Sequence, residues 1–466
     1  MDKELIRSLP QVDAVLRNEY LTELDDRIPH AILLSAARKA IDSARQRILS
    51  GELTDAAEIS VEGIAKAAAD IAEEASMPGL RRVINATGVT LHTNMGRARL
   101  SKSACKAVIE AASNYSDLEY DIEAGQRGSR HSHIEKTITD ITGAEAAMAV
   151  NNNAAAVMLC LSALGRGREI IISRGELVEI GGSFRIPDIM EQSGAILAEV
   201  GTTNKTHLAD YENRLTEETA ALLKVHTSNY KIVGFTEDVS LEDLASLGAK
   251  AGLPVIFDLG SGLMTDLRGI GIDEPTVKDS LKYADVIMFS GDKLLGGPQC
   301  GIIAGKKQYV DMMKKHPMAR AFRVDKMTIA ALEATLREYY DVEKALENVP
   351  VLASVAAPRE KLRTRANHLA KGLEKASPSI RAKVTKCIDQ VGGGSAPTAE
   401  LSGFAVAFYS DKVSADELEK AFRLGKVPVV GRINKDNLIF DVRTVTDAEI
   451  KLIIEKAERL GAEGRI

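Results

Sequence analysis

The chain has 466 residues, with 60 Lys and Arg against 66 Asp and Glu for a net charge of −6, and 45% of its residues are apolar. At about 150 residues per domain the length suggests roughly three domains with large buried cores. A 27% share of charged residues with 36 Gly and 13 Pro excludes collagen-like, low-complexity and disordered classes. The negative balance gives no whole-chain support for a nucleic-acid partner. Cys105, Cys160, Cys300 and Cys387 lie far apart with no CxxC pair, which points to a reducing compartment. The opening MDKELIRSLPQVDAVL lacks an apolar signal core, and no window reaches the about 18 to 20 apolar residues of a membrane span, so a cytoplasmic enzyme or binding protein is expected.

Residues 1–68 read as a helical N-terminal domain. The run from His30 to Leu49 places Ile32, Ala36, Ala40, Ala44 and Ile48 near one face, and Ser60 with Gly63 marks a second start. A linker over 69–85 contains the helix-breaking pair Pro78 and Gly79. The span 86–346 is expected to be the catalytic core. Its apolar runs predict strands at Ala146 to Val150, Glu169 to Ser173, Ala195 to Val200, Ala221 to His226, Val255 to Leu259, Val286 to Ser290 and Gly301 to Ala304. They are continuously apolar and mostly separated by crossover-length segments, which favours an α/β fold with a mainly parallel sheet covered on both faces. The last two lie too close for a crossover, so one of them is expected to run antiparallel. Residues 347–466 read as a smaller α/β domain closed by the amphipathic helix in LIFDVRTVTDAEIKLIIEKAERL, and no repeat period recurs.

Ligands of open α/β sheets sit beyond the carboxyl ends of the strands. After Val150 comes NNNAAAVML, where Asn152 and Asn153 open a helix whose amides suit a phosphate, or simply form a capped turn. Asp258 stands at a later strand tip before LGSG, and Ser290, Asp292 and Lys293 follow VIMF in SGDKLLGGPQC. Each alone is ordinary; together they form the constellation pyridoxal phosphate requires. Asp258 would pair with the pyridine nitrogen, Lys293 would attach the aldehyde, and Asn229 in HTSNY would reach the ring oxygen. The arrangement resembles the aspartate-aminotransferase fold, fold type I. CGIIAGKKQ fails as a Walker loop, and no GxGxxG opens a helix after a strand. His131 and His133 lack a third metal ligand and read as a polar loop, and Cys300 reads as a small residue entering a strand.

INATGVTLHTNMGRARLS, LEYDIEAGQRGSRHSHIE, SRGELVEIGGSFRIPDIM, HTSNYKIVGFTE, SGDKLLGGPQCGIIAGKK and HPMARAFRVDK are together similar to the bacterial selenocysteine synthases, the L-seryl-tRNA(Sec) selenium transferase family. The similarity runs from RSLPQVD to GRINKDNLIFDVRTV, essentially the whole chain. It implies conversion of L-seryl-tRNA(Sec) to L-selenocysteinyl-tRNA(Sec) through a pyridoxal-bound aminoacrylyl intermediate, with selenophosphate as donor. The alternative is a pyridoxal-dependent β-eliminase or ammonia-lyase for a small amino acid or sugar acid. By the same resemblance Lys293 is the Schiff-base lysine and Asp292 a further active-site carboxylate. Arg97, Arg320 and Arg323 would bind the anionic donor, residues 1–68 would contact the tRNA, and the assembly would be a decamer.

Local charge fits in part. Lys293 through Arg337 holds nine Lys and Arg against three Asp and Glu, whereas residues 1–80 hold nine against fifteen, a poor electrostatic footprint for RNA. The substrate carboxylate is esterified and uncharged, so Arg432 or Arg443 is expected to be structural.

Overall fold

A computed structural model describes residues 2–53, 57–180 and 184–466; Gly181, Gly182 and Ser183 of the SRGELVEIGGSFRIPDIM motif lie outside the described residues. The chain divides into two compact units, Met1–Arg82 and Val83–Ile466.

The first unit is built on the helices His30–Leu49 and Val61–Ser76. Ser60 caps the second, its hydroxyl accepting the Gly63 N–H at 3.0 Å. Buried Ala36, Ala37, Ala40 and Ala44 share one core with Ala65, Ala68 and Ala72, and these small side chains let the two helices approach closely. Ile32 is only half-buried, and Leu33 and Ile41 complete the buried face in its place. The second helix continues through 69–76, inside the stretch expected to be linker, because the alanine-rich run Ala65–Ala72 keeps its apolar spacing there.

The second unit carries a seven-stranded sheet: β1 (Ala146–Val150), β2 (Glu169–Ser173), β3 (Ile196–Val200), β4 (Thr219–Val225), β5 (Val255–Gly260), β6 (Val286–Ser290) and β7 (Gly301–Gly305). Spatial order is β1-β7-β6-β5-β4-β2-β3. Every pairing among β2 to β6 is parallel, while β7 runs antiparallel to both β6 and β1. Residues 291–300 are too few for a crossover, which forces that reversal. The inner strands are mainly apolar on both faces because both are covered: Ile256 and Met288 point into one core, Phe257 and Phe289 into the other, whereas the edge strand β3 leaves Ile196 and Glu199 exposed. The sheet is therefore the α/β architecture expected, with strand limits within two residues of those read from the apolar runs.

A four-stranded antiparallel sheet follows, β8 (Ile380–Asp389), β9 (Leu401–Ser410), β10 (Arg432–Asn434) and β11 (Asn437–Asp441), ordered β8-β9-β11-β10. The helices Arg359–Ala376, Ala415–Arg423 and Asp447–Ala462 contribute to its core. The closing helix starts at a capping box, Thr446 with Glu449. Phe408, Phe422 and Phe440 meet edge-on in this core, with ring centroids 4.9 to 5.7 Å apart. The short strand Ile84–Asn85 pairs with Val429–Val430, so the chain enters the unit through the C-terminal layer. Among the described residues no helix is long and apolar enough to cross a membrane.

Phe440 is fully buried at the centre of the aromatic cluster. Phe440→Ala is expected to lower stability by about 3–5 kcal/mol through lost burial and an unfilled cavity. Urea unfolding followed by far-ultraviolet circular dichroism measures it; a midpoint equal to wild type would refute the packing role.

Candidate active site

The carboxyl ends of β1, β4, β5 and β6 converge on Lys293. Its side chain is 5% exposed, and its Nζ donates to the Gly394 carbonyl at 3.4 Å. Two glycines make room for it. A Cβ on Gly260 would lie 3.8 Å from the amine and one on Gly394 3.4 Å from it, and both glycines have left-handed φ, +67° and +76°. Burial pushes the Lys293 amine below the usual lysine range; Asp258 pulls it back up, and Arg97 pushes it further down.

Asp258 lies in β5 and is buried. Burial raises its carboxyl above the usual range, against the opposing hydrogen bond from Asn153 and the nearby charges of Lys293 and His226. The Asn153 amide donates to Asp258 Oδ1 at 2.8 Å. Asn152 plays the other part weighed for this segment: its Oδ1 accepts the Ala155 N–H at 2.8 Å and caps the helix Asn153–Gly165. Gly301 permits that packing, since a Cβ there would sit 2.2 Å from the Asn152 carbonyl.

Asn229 donates to the Glu179 carbonyl at 3.1 Å, and its Cβ lies 3.7 Å from a Cβ on Gly394. Ser290 ends β6, buried and in register with Gly301. Asp292 Oδ2 accepts from Arg97 Nη1 at 3.0 Å, and its carbonyl accepts the Ala98 N–H. Arg97 makes that pair from a left-handed φ of +57°, a conformation side-chain-bearing residues rarely adopt.

Arg320 and Arg323 are placed differently. Arg320 is exposed in the short helix Pro317–Ala321, and Arg323 Nη1 lies 4.0 Å from Glu119, which also pairs with Arg130 and Arg127. The Arg323 backbone bridges Val150 at the end of β1. His131 and His133 stand at the start of the helix Ser132–Thr142 rather than in a loop. Arg443 is buried and consumed internally, donating to Asp389 and to the carbonyls of Ser354, Val355 and Ser402.

Three features were not read from the sequence. Gly392, Gly393 and Gly394 bring a carbonyl from the C-terminal layer to the lysine, and the triple glycine was their visible signal. Ser228 faces Gly260, as the amine does: its Oγ is 3.6 Å from the Cβ position of that glycine. Glu274 is buried between His226 and the Ala396 N–H, and only the following Pro275 marks it in the sequence.

Several buried polar atoms here have no hydrogen-bond partner among the described residues: Ser228 Oγ, Asn229 Oδ1, Asn153 Oδ1, Ser261 Oγ and Arg97 Nε. Unpaired buried polar atoms are costly, so their gathering around a desolvated lysine matches a polar ligand bearing an aldehyde, a ring nitrogen and a phosphate. The residues fit pyridoxal phosphate.

A mainly parallel seven-stranded sheet with one reversed strand, joined to a small antiparallel layer, is the fold type I architecture, and the chain is a pyridoxal-phosphate enzyme of that class. A solved D-glucosaminate-6-phosphate ammonia-lyase superposes with a TM-score of 0.57 over 83% of this chain and 97% of that one, at 20% identity, a likeness of fold alone. Residues 83–446 match the family model of L-seryl-tRNA selenium transferase, and residues 6–45 that of the selenocysteine synthase N terminal. An L-seryl-tRNA(Sec) selenium transferase of Clostridium botulinum (strain Okra / Type B1) is 48% identical over 98% of this chain and 99% of its own length. One of Geobacter sulfurreducens is 48% identical over 97% and 99%. The chain belongs to the L-seryl-tRNA selenium transferase family and is a transferase.

Asn153→Ala removes a donor that opposes the upward push of burial on the Asp258 carboxyl. A hydrogen bond to a charged group contributes about 1.5–3 kcal/mol, so pyridoxal phosphate is expected to bind roughly ten- to a hundredfold more weakly. Spectral titration of cofactor-free protein measures this; unchanged affinity would remove Asn153 from the site.

Proposed function

We propose that this transferase converts L-seryl-tRNA(Sec) to L-selenocysteinyl-tRNA(Sec) in the cytoplasm, taking selenium from selenophosphate. The observation that carries the reading is the desolvated Lys293 amine beside buried Asp258 and the partnerless polar atoms around it. Lys293 would hold the cofactor and Asp258 would face its ring nitrogen. Asn229, Ser290 and the helix start at Asn152 and Asn153 would take its oxygen and phosphate groups. When bound, pyridoxal phosphate supplies an electron sink for the charge that develops at the serine Cα.

The protein's own residues then have distinct tasks. Asn153 holds Asp258 in place and favours its charged form against burial. Asp292 fixes the Arg97 guanidinium and leaves its buried Nε to meet an oxyanion. Arg97, Arg320 and Arg323 would grip selenophosphate, since guanidinium forks suit tetrahedral polyanions. Arg323 faces Glu119 and Arg320 is exposed, which leaves open to test whether they act in their own chain's site or in a neighbour's. The helical N-terminal unit would contact the tRNA, and its acidity favours recognition by shape over a broad basic surface.

Purified protein with seryl-tRNA(Sec), selenophosphate and pyridoxal phosphate is expected to yield selenocysteinyl-tRNA(Sec). Consumption of a free amino acid without that product would instead establish an ammonia-lyase or β-eliminase. Lys293→Ala should lose the borohydride-reducible cofactor adduct. Mixing inactive Lys293→Ala chains with inactive Arg320→Ala/Arg323→Ala chains should restore transfer if the arginines serve a neighbour's site; no restoration after subunit exchange would place them in their own.

A further inference from the structure

Glu274 lies between the turn Arg268–Ile270 and the short helix Val277–Ser280, and its side chain is 2% exposed. Its two oxygens reach in different directions. Oε2 lies 2.9 Å from His226 Nε2, and Oε1 accepts the Ala396 N–H at 2.8 Å. His226 follows β4, and its backbone N–H donates to the Asp258 carbonyl at 2.9 Å. Ala396 ends the loop in which Gly392, Gly393, Gly394 and Ala396 all have left-handed φ, +76°, +63°, +76° and +47°. For alanine that conformation is strained, so the loop depends on outside contacts to hold its shape. Its Gly394 carbonyl is the acceptor of the Lys293 amine. One carboxylate thus ties the wall that carries Asp258 to the wall that receives Lys293.

We propose that Glu274 is a positioning residue for Lys293: it clamps the 392–396 loop to the end of β4 and so fixes the setting in which the amine gains and loses its proton. The proposal rests on Lys293 as the cofactor-holding lysine. The charged groups acting on that amine are Asp258, Asp292 and Glu274, which favour its protonation, and Arg97, which opposes it. Glu274 therefore contributes both an acceptor for the loop and a negative charge near the amine, and the two contributions separate by substitution. Glu274→Gln keeps an acceptor oxygen and loses the charge, whereas Glu274→Ala loses both.

The test uses the full chain freed of cofactor, with Lys293 trinitrophenylated across pH and its labelling followed by peptide mass spectrometry. In Glu274→Gln the labelling midpoint is expected to fall by about half a pH unit or more, because loss of a neighbouring negative charge disfavours the ammonium form. In Glu274→Ala, hydrogen exchange at the Ala396 amide is expected to rise about tenfold or more as the loop is released. A residue that merely supports the fold would leave the Glu274→Gln midpoint at the wild-type value, and that result overturns the proposal. An unchanged Ala396 exchange rate in folded Glu274→Ala overturns it as well; should that variant not fold, the Glu274→Gln midpoint decides alone. Borohydride reduction of wild-type holoenzyme, with mapping of the modified lysine, tests the attachment reading separately: cofactor on another lysine overturns that reading, while the Ala396 exchange still decides the clamp.

Discussion

The site rests on a lysine amine and an aspartate carboxyl that share one water-excluded space. Burial drives both toward their neutral forms, and each opposes that drive in the other. Neither group sits there at low cost, so its surroundings must be arranged to hold it. Asn153 supplies a hydrogen bond to Asp258, the helix it opens is capped by Asn152, and Gly301 lets that helix start approach β7. On the lysine side, Gly260 and Gly394 withdraw their bulk and Gly394 offers a carbonyl. The sheet order serves the same end, since it sets β5, carrying Asp258, directly beside β6, whose following loop carries Lys293.

What the sequence made legible was local. Continuous apolar runs revealed the seven strands, because strands covered on both faces have no polar alternation to hide them. The reversal of β7 was legible too, since ten residues cannot make a crossover. Strand tips marked Asp258 and Lys293 through their flanking glycines. What escaped was contact between residues far apart in the chain. The helix start at Asn152 and Asn153 suggests a phosphate cradle or a capped turn, and neither reading points to the bond from the Asn153 amide to Asp258, 105 positions away. Gly394 and Ala396 reach the site from beyond residue 390, and Glu274 has only a proline after it to distinguish it. Local pattern cannot report such pairings, because their partners are chosen by the topology of the completed sheet.

Charge is organised differently from its sum. The chain's net −6 equals that of its first 80 residues, while the stretch from Lys293 to Arg337 is strongly basic. Much of that basic charge is answered locally: Lys306 pairs with Asp285, Lys307 with Asp311 and Lys314 with Glu135. Arg320 is exposed, as Lys306, Lys307 and Lys315 are. Arg443 is the converse case, a buried cation with four of its five donors spent on one carboxylate and three carbonyls, so it is engaged inside the fold.

Strand β1 has a consequence for how the chain is made. Its one strand neighbour in the sheet is β7, whose first residue lies some 150 positions later. At about 5–20 residues per second, β7 emerges on the order of ten seconds or more after β1 has left the ribosome. During that interval Ala146–Val150, buried at every position in the finished sheet, has exposed backbone and no native strand to pair with. Synthesis of this enzyme therefore passes through an interval in which this apolar stretch waits for its strand partner, the kind of segment a nascent-chain chaperone shields.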